Sequence, residues 1–228
     1  MSGMRSGHVL ASTAAEQRRL SLADVGTALA HSGPSSLNIP GFRHAAVLVA
    51  LLDNGNPDGT GLELLLTVRA ATLRSHAGQI ALPGGRLEPG EDFVEAALRE
   101  TAEEVGIEVD RADVIGELSD HPSPAGFVAR PVVARVDWPQ VVIPDPDEVA
   151  EVFTVPLDAL RAVEPTSRLV EVERFKRRIF SYQYQGRDIW GFTGNVIRNL
   201  FDVIDGRTAD PQGPYRRADG GPKDPFEE

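Results

Sequence analysis

Apolar and polar positions along this chain follow two periods, and the switches between them predict its elements. Leu22, Val25 and Leu29 recur at helical spacing behind Ser21, with Asp24 three residues on, which predicts a short amphipathic helix. HAAVLVALL (44–52) is an unbroken apolar run of strand length and reads as a buried central strand. DNGNPDGTG (53–61) turns the chain, and LELLLTVR (62–69) answers it as the second strand of a hairpin. A polar loop follows over 70–79. Asp92 and Glu95 then stand at N-cap and N3 spacing, and Gly106 sits where a left-handed residue closes a helix. Segments 114–120 and 127–136 read as strands joined by the turn HPSPAG. Residues 145–163 read as a loop, a short strand and a short helix after Pro156. Alternation marks strands at 168–175 and 178–186, and Thr193 is the expected cap of a last helix. Val196, Ile197, Leu200 and Ile204 mark that helix's buried face. This order predicts an α/β protein built in mixed layers. Residues 1–35 form an N-terminal extension with a short helix, 36–206 one domain, and 207–228 a Gly/Pro/charge-rich disordered tail.

Composition narrows the classes. The chain has 228 residues, 41% hydrophobic and 25% charged, which suits one domain with extensions. Its formal net charge of -11 argues against bulk binding to nucleic acid or anionic membrane, which both favour basic patches. A phosphorylated substrate stays open if metal ions and local arginines cancel the field. With no cysteine, disulfides, thiolate catalysis and Cys-based zinc sites are excluded. No apolar run approaches the roughly 20 residues of a membrane span, and the N-terminus lacks a signal-type apolar core. The expected compartment is the cytoplasm.

The predicted helix after Asp92 carries the chemistry. At about 100° per residue, Glu100, Glu103 and Glu104 share one face, while Val94, Leu98, Thr101 and Val105 share another, largely opposite one. Three carboxylates at i, i+3 and i+4 repel each other, and no lysine stands four residues on to relieve them. A solvated acidic face is the plain reading of such a helix. The Gly84-Gly85 turn beside it favours a second one, a site for a hard divalent cation such as Mg2+ or Mn2+.

Gly85, five residues, Glu91, seven residues, then Arg99-Glu100-x-x-Glu103-Glu104-x-Gly106-Ile107 resembles the Nudix box, G-x5-E-x7-R-E-U-x-E-E-x-G-U, where U is bulky and aliphatic. Every fixed residue is present; Thr101 departs at the first U. The resemblance extends over about residues 40 to 205. It implies an α/β/α sandwich with a mixed central sheet and hydrolysis of a nucleoside diphosphate linked to another moiety. It further implies Glu100 and Glu104 as metal ligands, and Glu103 as a further ligand or the group that orients the attacking water. Arg99 would hold a glutamate, with Glu91 as its partner. Glu148 lies where the family often supplies another carboxylate; Asp147 and Glu151 compete for that role, and the sequence does not choose. Homodimers are common in the family.

LLTVRAATLRSHAGQIALPGG (65–85) resembles the extra motif that precedes the box in coenzyme A pyrophosphatases, L-L-T-x-R-x-x-x-L-R-x-H-x-G-x-[VI]-x-F-P-G-G. Leu82 replaces the usual Phe. The resemblance implies cleavage of coenzyme A or acyl-CoA to 3′,5′-ADP and (acyl-)4′-phosphopantetheine, with Arg69 and Arg74 as cations for its phosphates. His76 would orient or contact the substrate, near Gly84 and Gly85. The competing expectations are a Nudix pyrophosphatase for ADP-ribose or another nucleoside diphosphate derivative, and a binding module of the same fold without catalysis.

Overall fold

A computed structural model describes residues 19–57, 61–73, 75–123, 125–172, 175–207 and the backbone of 216–217. The part of the expected N-terminal extension before Arg19 lies outside these residues, as do Arg74 and almost all of the expected tail beyond Arg207.

The long apolar run is the organising strand. It forms β1 (Arg43–Asp53), which is buried from Ala45 to Asp53. It pairs in parallel with β7 (Phe127–Asp137) along its whole length, from Arg43 opposite Phe127 to Asp53 opposite Asp137. The predicted hairpin partner, β2 (Glu63–Arg69), lies antiparallel on the other side, with Leu51 opposite Leu64. Two short strands, β3 (Ile80–Ala81) and β4 (Gly84–Arg86), pair with β2 and β1. β5 (Val114–Glu117) and β6 (His121–Ser123) pair with β7, and β8 (Val149–Pro156) pairs with β2. Together these make an eight-stranded mixed sheet.

The period of two in β1 divides the core. Ala46, Leu48, Ala50 and Leu52 point to one face, where they meet Ala96, Ala97 and Val105 of helix α2 (Phe93–Val105). Val47, Val49 and Leu51 point to the other, toward Val25 and Leu29 of α1 (Leu22–Ser32) and Val196, Ile197 and Leu200 of α4 (Gly191–Ile204). The predicted α/β/α sandwich with a mixed central sheet is what forms.

Both early helices start as their sequences indicate. Ser21 and Asp24 form one capping box, Asp92 and Glu95 another. Gly106, at φ 72°, ends α2 with its N–H bonded to the Ala102 carbonyl.

Several expectations are corrected. Thr193 does not cap α4: Trp190 is the N-cap residue, without a side-chain bond, and the buried Thr193 hydroxyl donates to the Ile80 carbonyl at 2.9 Å. The 114–120 strand breaks after Glu117 and resumes as β6; in the gap the Asp120 N–H donates to the Ser35 carbonyl, and the Asp120 carboxylate receives Leu37 N–H and Arg130. HPSPAG is therefore part strand, part turn. The late strands, β9 (Thr166–Val172) and β10 (Phe175–Tyr184), form with β11 (Arg187–Trp190) and β12 (Arg216–Arg217) a separate four-stranded sheet. α3 (Leu157–Arg161) follows Pro156 as expected.

Candidate active site

The site is built where α2 passes Gly84 and Gly85; the expected Gly-Gly turn is corrected to a bend at Pro83, with both glycines already in strand β4. On one side this segment is locked to β1: the Pro83 carbonyl accepts from Leu48 N–H at 2.8 Å, and Val47 pairs with Gly84. A Cβ at Gly84 would collide with the Ala46 carbonyl and the Val47 backbone. On the other side a Cβ at Gly85 would occupy the place of the Glu100 carboxylate. Two glycines are needed because β1 and the carboxylates both press on the same segment.

The three glutamates of the shared face meet different surroundings. Glu104 is buried, 5% exposed, and its Oε2 accepts from Gly84 N–H at 3.2 Å. Burial pushes its carboxyl up to about 7, with Glu148 and Glu100 adding repulsion against the opposing pull of the Gly84 N–H and Arg69. Glu100 is also raised, by burial first, with Glu103 and Glu148 contributing against Arg99. Glu103 is largely exposed. Thr101, on the opposite face, is fully buried and its hydroxyl donates to the Ala97 carbonyl at 2.7 Å, so the departure from the box pattern packs without an orphan polar atom.

Arg99 ties this array together. Its guanidinium grips Glu91 at 2.7 and 3.1 Å, reaches Glu100 at 3.1 Å and Glu103 at 2.9 Å, and donates to the Arg86 carbonyl at 3.0 Å. The hydrogen bond from Arg99, helped by the Glu88 N–H, lowers the Glu91 carboxyl pKa. Every one of these partners is a box residue or lies beside one.

Of the three competing carboxylates, Glu148 is the one whose charge acts on the box glutamates. The loop is stitched to the end of α2 by Ile143 N–H to the Val105 carbonyl and Asp145 N–H to the Glu104 carbonyl, both at 2.9 Å. The Glu148 carbonyl in turn accepts from Ala70 N–H at 2.8 Å, and its charge acts on both Glu100 and Glu104. Glu151 is instead held by Arg187, at 2.6 and 3.1 Å, and Asp147 shows no such influence on the site.

Beyond the bend, a cleft of about 330 Å3 is lined by Arg69, His76, Gln79, Gly84, Gly85, Arg86, Phe127, Trp190, Phe192 and Thr193. Gly84 and Gly85 are the wall it shares with the carboxylates. The Arg69 Nε atom is buried without a hydrogen-bond partner. His76 takes a left-handed conformation, φ 59°, and its Nδ1 lies 2.8 Å from the Gln79 side-chain oxygen, so it shapes the loop that closes on Arg69. Arg86, Phe127, Trp190 and Phe192 were missed in the sequence. Arg86 and Trp190 lie on strands too short to carry a period, Phe127 opens the long β7 and Phe192 the first turn of α4, and only the fold brings the four together.

The donor set fits a hard divalent cation: its ligand atoms are all carboxylate oxygens, and two of the carboxyl groups are raised first by burial and further by their carboxylate neighbours. Among the described residues no group of three His, Asp or Glu side chains stands in metal-holding geometry. Arg99 engages Glu100 and Glu103, while Glu104 turns to Gly84, so loading would require these glutamates to reorient.

A box of glutamates on a helix that meets a Gly-Gly pair on a mixed sheet defines a class of diphosphate hydrolases. The chain belongs to the Nudix family: the NUDIX domain model matches residues 42–175. It is 38% identical over 164 residues to an uncharacterized Nudix hydrolase, NudL, of Photorhabdus laumondii, covering 71% of this chain and 85% of that one. A NudL of Cronobacter sakazakii is 41% identical over 168 residues, 73% and 83% of the two chains. Among solved structures, a MutT protein from Methanosarcina mazei is 26% identical over 56% of this chain and 86% of its own, with a TM-score of 0.43. Nudix hydrolases act on small-molecule diphosphate substrates and generally use divalent metals such as Mg2+ or Mn2+. Among the described residues, no helix is long and apolar enough to cross a membrane.

Proposed function

We propose that this Nudix hydrolase cleaves the pyrophosphate of coenzyme A or its thioesters, releasing 3′,5′-ADP and 4′-phosphopantetheine or its acyl form. The observation that carries the reading is Arg69. It belongs to the 65–85 motif that resembles coenzyme A pyrophosphatases, it lines the cleft that adjoins Gly84 and Gly85, and its buried Nε has no hydrogen-bond partner.

Glu100 and Glu104 would hold Mg2+ or Mn2+, with Glu103 or Glu148 completing the carboxylate set. The cation, when bound, neutralises phosphate charge and lowers the pKa of a coordinated water. The remaining work falls to the chain. Arg99 fixes the spacing of Glu91, Glu100 and Glu103. Gly84 and Gly85 let the diphosphate approach the backbone, and Arg69, in the cleft lining, offers its guanidinium charge to a phosphate oxygen. His76 and Gln79 shape the loop that positions Arg69.

Free CoA, acetyl-CoA and ADP-ribose, each with Mg2+ or Mn2+ and with products separated by chromatography, test the reading. CoA and acetyl-CoA should each yield 3′,5′-ADP. CoA left intact with either metal would overturn it, and preferential cleavage of ADP-ribose would move the substrate to another nucleoside diphosphate derivative. A homodimer in the cytoplasm is the accompanying proposal, tested by sedimentation and by fractionation of cells.

A further inference from the structure

The arginines of this acidic chain are mostly spoken for. From Arg99 to Arg207, eight of those described lie within ion-pair distance of a carboxylate. Arg43, Arg69 and Arg86 have no such partner among the described residues; Arg69 and Arg86 line the cleft, and Arg43 reaches the Phe127 ring of its lining, whereas Arg19, Arg168 and Arg178, also without an ion pair, do not line it. Arg69 lines it beside Gly84 and Gly85. Arg43 and Arg86 meet on another feature: their guanidinium carbons lie 4.4 and 5.2 Å from the centroid of one ring, Phe127.

Strand register makes this a built arrangement. Arg43 on β1 stands directly opposite Phe127 on β7, and Arg86 on β4 stands opposite Ala45, two residues along β1 from Arg43. With side chains alternating at a period of two, Arg43 and Ala45 share a face, so three neighbouring strands deliver two cations and an aromatic ring to one patch. Arg86 and Phe127 line the cleft itself. The Arg86 carbonyl is held by Arg99, so its backbone is fixed by the catalytic network while its side chain stays exposed.

Two guanidiniums stacked against a ring, with their donor edges unclaimed, suit a compact dianion with several acceptor oxygens. Location decides where on the substrate that anion sits. Arg86 follows Gly85 directly, about 3.8 Å along the chain, so the anion lies close to the diphosphate and not at the end of a long acyl arm. We propose that Arg43 and Arg86, stacked on Phe127, form a subsite for a phosphomonoester on the ribose of the substrate's nucleotide half. It is a selectivity device separate from Arg69 at the scissile diphosphate. It rests on the coenzyme A reading, because the 3′-phosphate of that substrate is such a group.

The test titrates the full chain, with Mg2+, against adenosine 3′,5′-bisphosphate and adenosine 5′-monophosphate, neither of which contains an anhydride to cleave. The wild type should prefer the bisphosphate by about 10-fold or more, and Arg43→Gln and Arg86→Gln should each remove much of that preference while leaving 5′-monophosphate binding in place. Both positions are exposed, and a thermal melt confirms that the variants fold. No preference in the wild type, an intact preference in both variants, or equal weakening of both ligands would each overturn the subsite. Turnover of CoA against dephospho-CoA separates this from the reaction itself. Intact CoA with an arginine-dependent preference for the bisphosphate would sink the reaction and keep the subsite. Equal cleavage of CoA and dephospho-CoA by wild type and variants would keep the reaction and sink the subsite.

Discussion

At the residue scale, Glu104 shows the conflict between stability and function most directly. A carboxyl that is 5% exposed and raised to about 7 from 4.5 opposes folding once ionised. Its stabilising contribution is complete below pH 4.5, declines as pH rises toward 7, and is gone above; the shift corresponds to about 3 kcal/mol. In EDTA, Glu104→Gln should therefore gain on the wild type by that order between pH 4.5 and 8, as read by urea denaturation at both ends of the range. The same substitution should abolish turnover with metal present; retained turnover would remove Glu104 from the ligand set. Gly85→Ala makes the complementary case. Its Cβ would displace the Glu100 carboxylate, so kcat should fall by about 100-fold while a melt shows only the modest loss usual for a local rearrangement, about 1–2 kcal/mol. The shared face of the glutamates was legible from spacing, because a helix converts i, i+3 and i+4 into one face, while their expected roles came only with the resemblance to the box. Their unequal burial was not legible, since it depends on the Gly84-Gly85 segment and on a loop some forty positions downstream.

Elements were readable to the degree that their signals are local. α2 announces itself through Asp92, Glu95 and Gly106, and all three act in the structure as their types require. β1 shows in composition, yet its parallel pairing with β7 spans the interval between residues 43 and 137, and nothing near either strand encodes it. The two- and three-residue strands β3 and β4 are too short to carry a period, and Thr193 misled because its hydroxyl serves a neighbouring strand in place of its own helix. Asp92→Ala tests the local part. It removes one half of the capping box and the half-exposed pair with Arg111, so stability should drop by about 1 kcal/mol, mostly from the cap. Glu100 to Glu104 lie two turns further along, so kcat should remain within a few-fold of wild type. A large loss of kcat with unchanged stability would mean that the first turn of α2 contacts the substrate.

For the whole molecule, the question is what ties the segment ahead of β1 to the sheet that carries the site. The stretch 32–41, SGPSSLNIPG, has the Ser/Pro/Gly composition of a linker, yet the fold straps it down. Ser35 N–H donates to the Ser119 hydroxyl, Leu37 N–H to Asp120, and Arg130 reaches the Ser36 hydroxyl at 2.9 Å. Arg130 is the hub: it is 7% exposed, pairs with Asp120 and with Glu117 at 2.8 Å, and packs over Phe93 of α2 at 4.7 Å. It thus joins β7, the 35–37 segment and the start of the box helix, a convergence invisible in sequence because its members are scattered from 36 to 130. Arg130→Met keeps most of the volume but leaves the 3%-exposed Asp120 carboxylate without its cation, and should cost about 3–5 kcal/mol. Asp120→Asn alone should cost less, since Arg130 keeps Glu117 and the amide oxygen can still receive Leu37 N–H. In the double variant the orphaned charge disappears, so the loss should be smaller than the sum of the singles by about 1–3 kcal/mol. Urea midpoints for the four proteins measure this coupling, and strict additivity would show that Arg130 acts through Phe93 packing alone. Hydrogen exchange at Ser35 and Leu37 should accelerate in Arg130→Met before exchange in β1 does, because the strap opens at the cost of its own bonds while the central strands remain buried.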